Sequence, residues 1–547
     1  MKFKEHINTF FRTVRAYNDR EKVLSQVILA LVIIIFFKML FFSGPAIYTE
    51  GYVGRIVSLN PVFSDLNEVD RDVSNLVFSG LMRYDPDTGA VISDMAALKV
   101  SEDKNVYTFI LKDYIKWHDG KVVTAEDVYF TFHDIIQNPE FTNPILKANF
   151  DGVEIKQIDE RTITFTLGKP NSFFITNTTT GILPKHILGE VLVPELAMHE
   201  FNTNPIGTGP YKVNGRVKSN PDGTTSVKLA GFRDYYGEHP QISDMEIIAY
   251  PSVDHLVDDR ENVNSLSKIT GIDADPIRED SDYELIPYRL PQYTALFMNM
   301  DSNLLKHKKI RVGVMKAIEK NKILTVLNDI ELIDTPLLEL NTDEWIYEPG
   351  FDEANGALYD SGYKYLEDED RYRKDEDGNE LVLRFVVRQY PLETRLALET
   401  QDLVNFLVNS WAEVGIKVIP EWYEMMDFNE MVQARDYDLL LAGQSLGYNL
   451  DTFAYWHSSQ IKNGLNLSNY KSFKADTLLE EVRDTFDEEE KQGKLFELAT
   501  QMADDVPALI LYRPVYYFAT DGAVDNISVE NLAYPGDRYM KIAEWRD

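Results

Sequence analysis

Between residues 381 and 443 the spacing of apolar positions changes repeatedly, and each change marks an element. LVLRFVVR (381–388) is a short apolar-rich run of strand length. Pro391 follows at or near a helix start, and Leu396, Leu403, Phe406, Leu407 and Trp411 then recur at helical spacing. Gly415 stands where a helix C-cap glycine belongs, and IKVIPEWY (416–423) reads as the next strand. A second helix around Asn429 to Arg435 leads into YDLLLAG (437–443). Strand–helix–strand–helix–strand at these lengths predicts an α/β architecture with a parallel, doubly wound sheet. Ligands of such sheets sit beyond the carboxyl ends of the strands, which here are Gln389-Tyr390, Trp422-Tyr423 and Gln444 to Tyr448.

A different pattern occupies the start of the chain. Val23 to Phe42 is an apolar run whose only charge is Lys38, long enough as a helix to span the ~30 Å of a bilayer core. Lys2, Lys4, Arg12, Arg15, Arg20 and Lys22 precede it, whereas Arg55 is the one basic residue in the next twenty. The positive-inside rule then predicts a cytoplasmic basic tail at 1–22 and a single-pass transmembrane anchor at 23–42. The rest of the chain would lie on the outer (periplasmic or extracellular) face of the cytoplasmic membrane. The long basic region and the poor cleavage site at Ser43-Gly44-Pro45-Ala46 favour a retained anchor over a cleaved signal peptide.

Composition narrows the function. A length of 547 residues exceeds one ordinary core, and 44% hydrophobic residues exclude a disordered chain. A net charge of −34 repels phosphate backbones, so nucleic acid is not an expected partner. With no cysteine there is no disulfide, thiolate metal site or lipidated N-terminal cysteine. Asp85-Pro86-Asp87-Thr88-Gly89 and Asp375-Glu376-Asp377-Gly378 read as hairpin turns; their glycines fall too early for an EF-hand-type calcium loop. The acidic stretch 351–380 reads as a solvated surface insertion. The histidines include no HExxH and no close pair, there is neither a Walker A loop nor a GxGxxG after a strand, and no GxSxG elbow is expected. His118 and His457 read as hydrogen-bonded turn residues. No metal or cofactor is expected, and the sequence does not read as that of an enzyme.

Several blocks occur together in a telling order: SLNPVFSDLNEVDRDVSNLVFSGLMRYD (58–85), LKDYIKWHDGKVVTAEDVYFTF (111–132), LPKHIL (183–188), GTGPYKV (207–213) and FRDYYG (232–237), then ALFMNMDSNLLKHKKIRVGVMKAIEKNKIL (295–324), YDLLLAGQSLGYNLD (437–451) and LILYRPVYY (509–517). With these the chain resembles an extracytoplasmic solute-binding protein of the oligopeptide/dipeptide/nickel-binding family, a component of ABC importers. The resemblance implies a two-lobed periplasmic-binding-protein-like fold with three domains and a hinge. Domain I would comprise 48–90, 206–290 and 510–547, domain II 91–205 and domain III 291–509. It also implies a monomeric ectodomain, a peptide ligand engulfed as an extended strand, and ABC permease and ATPase subunits as partners.

Residue by residue, the resemblance places ligand contacts at Ser64, Asp65, Leu66 and Asn67, and at Gly443, Gln444, Ser445, Leu446, Gly447 and Tyr448. Trp422 and Tyr423 join them from the strand-end argument. Peptide-binding members carry an aromatic and an aspartate in the second segment, where this chain has Gln444 and then Leu446 or Gly447. Asp451 is the nearest carboxylate and therefore the candidate partner for a peptide ammonium, unless it only caps a helix starting at Thr452. Alternatives from the same departure are a non-peptide ligand, such as a nickel complex or a sugar, and a tethered sensor without transport.

The blocks also carry local physics. Asp119-Gly120 makes a tight turn, Thr124 caps a helix with Asp127 as partner, and Trp117 anchors the turn. Val128, Phe130 and Phe132 read as core, and Gly207 and Gly209 as a bend where the chain re-enters a sheet.

Overall fold

Val382–Arg388 pairs in parallel with Lys417–Tyr423 on one side and with Leu439–Ser445 on the other. The 19-residue helix Arg395–Glu413 and the helix Met425–Ala434 make the two crossovers. Gly415 follows the first helix with φ +80°, and a Cβ there would stand 2.4 Å from Tyr365 Oη. The second helix starts four residues before the expected position. Its added turn exposes Met425 and Met426, so no buried periodicity signals it.

These features belong to a computed structural model, which describes residues 47–64, 67–340, 348–365, 370–392, 394–462 and 464–546. The anchor expected at 23–42 and the tail at 1–22 lie outside the described residues. Among the described residues no helix is long and apolar enough to cross a membrane.

The sheet is mixed, not wholly parallel. Beyond Leu439–Ser445 the next strand, Gln292–Met298, runs antiparallel, as does Ala508–Thr520 after it. These neighbours come from distant parts of the chain, so a window around 381–443 cannot foresee them. The 13-stranded sheet continues through Ser265–Thr270, Tyr48–Val53, Asp244–Tyr250, Thr225–Gly231 and Tyr211–Val213. Ala508–Thr520 belongs to both halves: its first part pairs with Gln292–Met298 and its last part with Glu284–Arg289. A separate four-stranded antiparallel sheet holds Ala96–Val100, Val106–Leu111, Thr162–Thr166 and Glu154–Gln157.

Alternation along the strands builds a core on each face of the second half. Leu296, Met298, Leu383 and Phe385 pack with Leu403, Leu407 and Trp411. Tyr293, Ala295, Phe297 and Leu440 pack on the other face with Leu479, Leu498 and Met502. A sheet buried on both faces needs the continuous apolar runs this sequence carries. The acidic stretch 351–380 is only partly surface. Ala354 and Leu358 are buried, and Arg373, 4% exposed, donates to the Val414 carbonyl at 2.7 Å.

The GTGP segment shows why its glycines are there. Cβ atoms at Gly207 and Gly209 would lie 1.9 Å from the Val77 oxygen and 2.5 Å from the Leu76 oxygen. The segment thus lies against the end of the helix Glu68–Val77, and Gly209 N–H donates to Val77 O at 2.8 Å. His118 ties the WHDG turn to it: Gly207 N–H donates to Nδ1 (3.2 Å), and Nε2 bonds Gly209 O (3.0 Å). Burial lowers the pKa of this imidazole to about 4. Trp117, Val128 and Phe132 are fully buried, Phe130 nearly so, and Thr124 N–H donates to Asp127 Oδ2 at 3.0 Å.

Candidate ligand-binding cleft

A cavity of about 790 Å³ opens between the two halves of the molecule, which we term lobes. Its volume lies in the range of small-molecule sites, ~300–1,000 Å³. One wall comes from the helix Glu68–Val77, the hairpin Met82–Asp85/Ala90–Ser93 and the segment around Tyr534. The other comes from the loop after Leu439–Ser445.

That loop crosses to the opposite lobe. Gly447 has φ +71°, and a Cβ on it would stand 2.6 Å from Tyr534 Oη. Glycine here satisfies both the left-handed backbone and the close approach. Tyr448 follows, stacks on Tyr84 (centroids 4.7 Å apart) and meets Tyr534 edge-on. Its hydroxyl donates to Asp537 Oδ1 at 2.8 Å. Burial keeps the Tyr448 phenol protonated, well above the ordinary range, and pushes the Asp537 carboxyl up to about 6. Asn449 makes a second crossing, donating to Thr176 Oγ1 at 3.1 Å.

The residues singled out from the sequence divide clearly. Ser64, Ser445, Leu446, Gly447, Tyr448 and Asp451 line the cleft. Asp65 and Leu66 lie outside the described residues. Asn67 caps the helix Glu68–Val77, accepting from Val69 N–H at 3.2 Å, and is not on the cleft wall. Gly443 sits in the ladder opposite Thr294, and Gln444 turns into its own lobe, donating to Leu465 O at 3.0 Å. Trp422 packs against the core of its lobe, and Tyr423 donates to Glu421 at 3.1 Å. Of the three strand ends expected to form the mouth, only that of Leu439–Ser445 reaches the cleft. Lys417–Tyr423 is the edge of the sheet, and its end lies off the cleft wall.

Asp451 is not an open carboxylate. Oδ2 accepts from Arg483 Nε at 2.9 Å and from its Nη2 at 2.5 Å, while Oδ1 accepts from Phe453 N–H at 3.0 Å. A local turn bond, one residue ahead of the helix cap Thr452, and charge pairing occupy it together.

Gly443 to Gly447 also spells Gly-x-Ser-x-Gly, which sequence reasoning missed. A hydrolase elbow needs the serine on a sharp strand-to-helix turn. Ser445 is instead the last strand residue, opposite Gln292, and the next helix begins only at Phe453. Among the described residues no histidine bonds its hydroxyl.

Arg71, Tyr84, Tyr534 and Asp537 were missed as well. Arg71 lies 3.8 Å over the Tyr534 ring, beside the buried Asp72. MRYD and FRDYYG carried the signal for the hairpin and for Tyr235-Tyr236, as aromatic-rich stretches within recognised blocks. Nothing local marks Tyr534 or Asp537, whose roles depend on the C-terminus returning to the first lobe.

The model of the bacterial extracellular solute-binding proteins, family 5 (middle part), matches residues 90–465. The oligopeptide-binding protein AppA of Bacillus subtilis is 25% identical over 492 residues, covering 86% of each chain. Its structure, described as a complex with a nonapeptide, superposes with a TM-score of 0.73 over 91% of this chain and 98% of that one, at 22% identity. The dipeptide-binding protein of Escherichia coli is 24% identical over 475 residues, 80% of this chain and 83% of that one. NikZ from Campylobacter jejuni, described as a complex with Ni(L-His), gives a TM-score of 0.75 at 23% identity, covering 92% and 100%. The fold is therefore that of a periplasmic-binding-protein-like α/β molecule, and with more than half of its length matched the chain belongs to the bacterial extracellular solute-binding proteins of family 5.

Proposed function

We propose that this protein captures peptides between its two lobes and delivers them to the permease and ATPase of an ABC importer. The observation that carries the reading is the cleft of about 790 Å³, whose walls come from opposite lobes and meet through Tyr448. An extended ligand placed there touches both walls, so closure and binding are coupled. The peptide-binding relatives support the ligand class. In this reading the three domains keep the boundaries given above, and the strand Ala508–Thr520 with residues 289–292 is the hinge. Ser64 and the 445–448 loop are the first contacts, the extracytoplasmic part is monomeric, and Val23–Phe42 holds it to the membrane.

One observation favours a second reading. The 445–451 wall offers no open carboxylate to a peptide ammonium, because Arg483 closes Asp451. A ligand without an ammonium, such as a metal complex of the kind named for NikZ, fits that wall equally well. Mass spectrometry separates the two. Full-length protein purified from membranes is denatured, and the released small molecules are identified. Peptides are expected; a uniform non-peptide species overturns the first reading. The intact mass of the same sample tests the anchor, since a form starting near Ala46 excludes it.

A further inference from the structure

Two adjacent phenylalanines are buried in different lobes. Phe174 opens the short helix Phe174–Asn177 and is 1% exposed. It packs with Tyr107 (centroids 4.9 Å apart), Phe150 and Phe165, in the aromatic core beside the four-stranded sheet. That sheet and its loops are tied to the first lobe, where Leu59 N–H donates to Asn202 O at 2.7 Å and Met82 N–H to Thr178 O at 3.2 Å. Phe173 turns the other way. It is 7% exposed and belongs to the core of the second lobe, with Leu479, Leu498 and Met502.

The main chain makes the same crossing. Ser172 N–H donates at 2.8 Å to the carbonyl of Arg483, in the last turn of the helix Phe473–Asp484. Carbonyls at that end have no partner within the helix, so the bond fills an open acceptor. Lys491 Nζ stands 5.1 Å from the centroid of the Phe173 ring, within cation–π range, and also donates to Glu339 Oε1 at 3.2 Å.

The ring is presented from a fixed base. The Tyr107 hydroxyl donates to Asn171 O at 2.9 Å, and Phe173 N–H donates to Asn171 Oδ1 at 3.0 Å. Parting the lobes would therefore leave the loop with the first lobe, pull Ser172 from Arg483 and return the phenyl ring to water. Closing regains both the bond and the apolar burial.

We propose that Phe173 is an inter-lobe latch, whose seat in the second lobe holds the two lobes together in the absence of ligand. The contact is protein on protein, so it operates whether the ligand is a peptide or not. A ligand then enters only through the open fraction of molecules, and its apparent affinity is reduced by that fraction.

The chain has no cysteine, so spin labels at Glu160→Cys and Glu497→Cys, exposed positions on the two lobes, report their separation alone. Full-length protein is freed of co-purified small molecules by partial denaturation and dialysis, and the distance between labels is read by pulsed electron paramagnetic resonance. Wild type is expected to show mainly the short separation of the present structure. Phe173→Ser should lower the ratio of short to long separations about tenfold or more. A wild type that is wholly open overturns the latch, and so does a serine variant with the wild-type distribution. If the serine variant does not fold, Phe173→Ala decides by the same readings. If neither folds, the ring serves the folding of the chain rather than the joining of the lobes, and the latch is overturned.

Discussion

Behind the first-lobe wall of the cleft one cluster of charges is sealed from water. Glu50, Asp72 and Asp537 are all 0% exposed, and Arg538 is 2% exposed. Glu50 is held by Arg538 and by Tyr539, whose hydroxyl donates at 2.8 Å. Across the cleft, Asp451 and Arg483 make their pair at 14% and 28% side-chain exposure. The two walls differ in what a lost partner costs. A buried ion deprived of its counter-ion has no water to turn to, whereas a partly exposed one does. The cluster behind the first wall is therefore a buried, proton-sensitive platform, and the second wall is a replaceable surface carried on a loop.

The sharpest way to break this contrast is Arg538→Met. It leaves Glu50 buried without its cation, and the expected loss is about 3–5 kcal/mol in urea unfolding of the full chain. A loss below ~1 kcal/mol would place the platform in the same class as the loop.

Next in size is a pH effect at Asp72. Burial pushes its carboxyl up to about 7, opposed by the charges of Arg71 and Arg538 and reinforced by Glu68 and Asp537. A carboxyl raised on folding binds its proton more tightly in the folded state. Its contribution is then fully present below the unfolded value near 4 and is lost as pH rises through about 7. Between pH 8 and 5.5 wild type should gain about 2 kcal/mol relative to Asp72→Asn. His118 has the opposite sign, its pKa lowered to about 4, but it is common to both proteins and cancels in the difference. A pH-independent difference between the two would show that Asp72 ionises freely.

The sequence disclosed these walls unequally. The strand–helix–strand run from Val382 to Ser445 was legible because its two inner strands and its long first helix bury apolar faces, as Leu403, Leu407 and Trp411 do. Gly447 and Tyr448 were legible from the block they stand in. Tyr534, Asp537 and Arg538 were not, because their partners are Tyr448, Glu50 and Tyr52, as much as 488 residues away. Asp451 lies on the cleft wall, yet its engagement by Arg483, 32 residues on, is a matter of helix packing that spacing does not reveal. Local period finds elements; long-range return of the chain decides which charges are spent.

The smallest effect separates Asp451 as a structural pair from Asp451 as a ligand anchor. Asp451→Asn keeps a side-chain oxygen able to accept from Phe453 N–H, since asparagine caps about as well as aspartate. What it removes is the charge facing Arg483. For a pair this exposed the expected cost is ~0.2–1 kcal/mol of stability, a melting shift of a degree or two. Affinity for tetra-alanine should change less than about threefold, because an ammonium at this point would have to compete with a guanidinium already donating at 2.9 Å. An anchor would behave otherwise, losing about 2–5 kcal/mol of binding with stability unchanged. Calorimetry beside a thermal melt reads both quantities on one sample. A large affinity loss with an unshifted melt would mean that Arg483 yields Asp451 to the ligand, and the second wall would then serve binding as fully as the first serves folding.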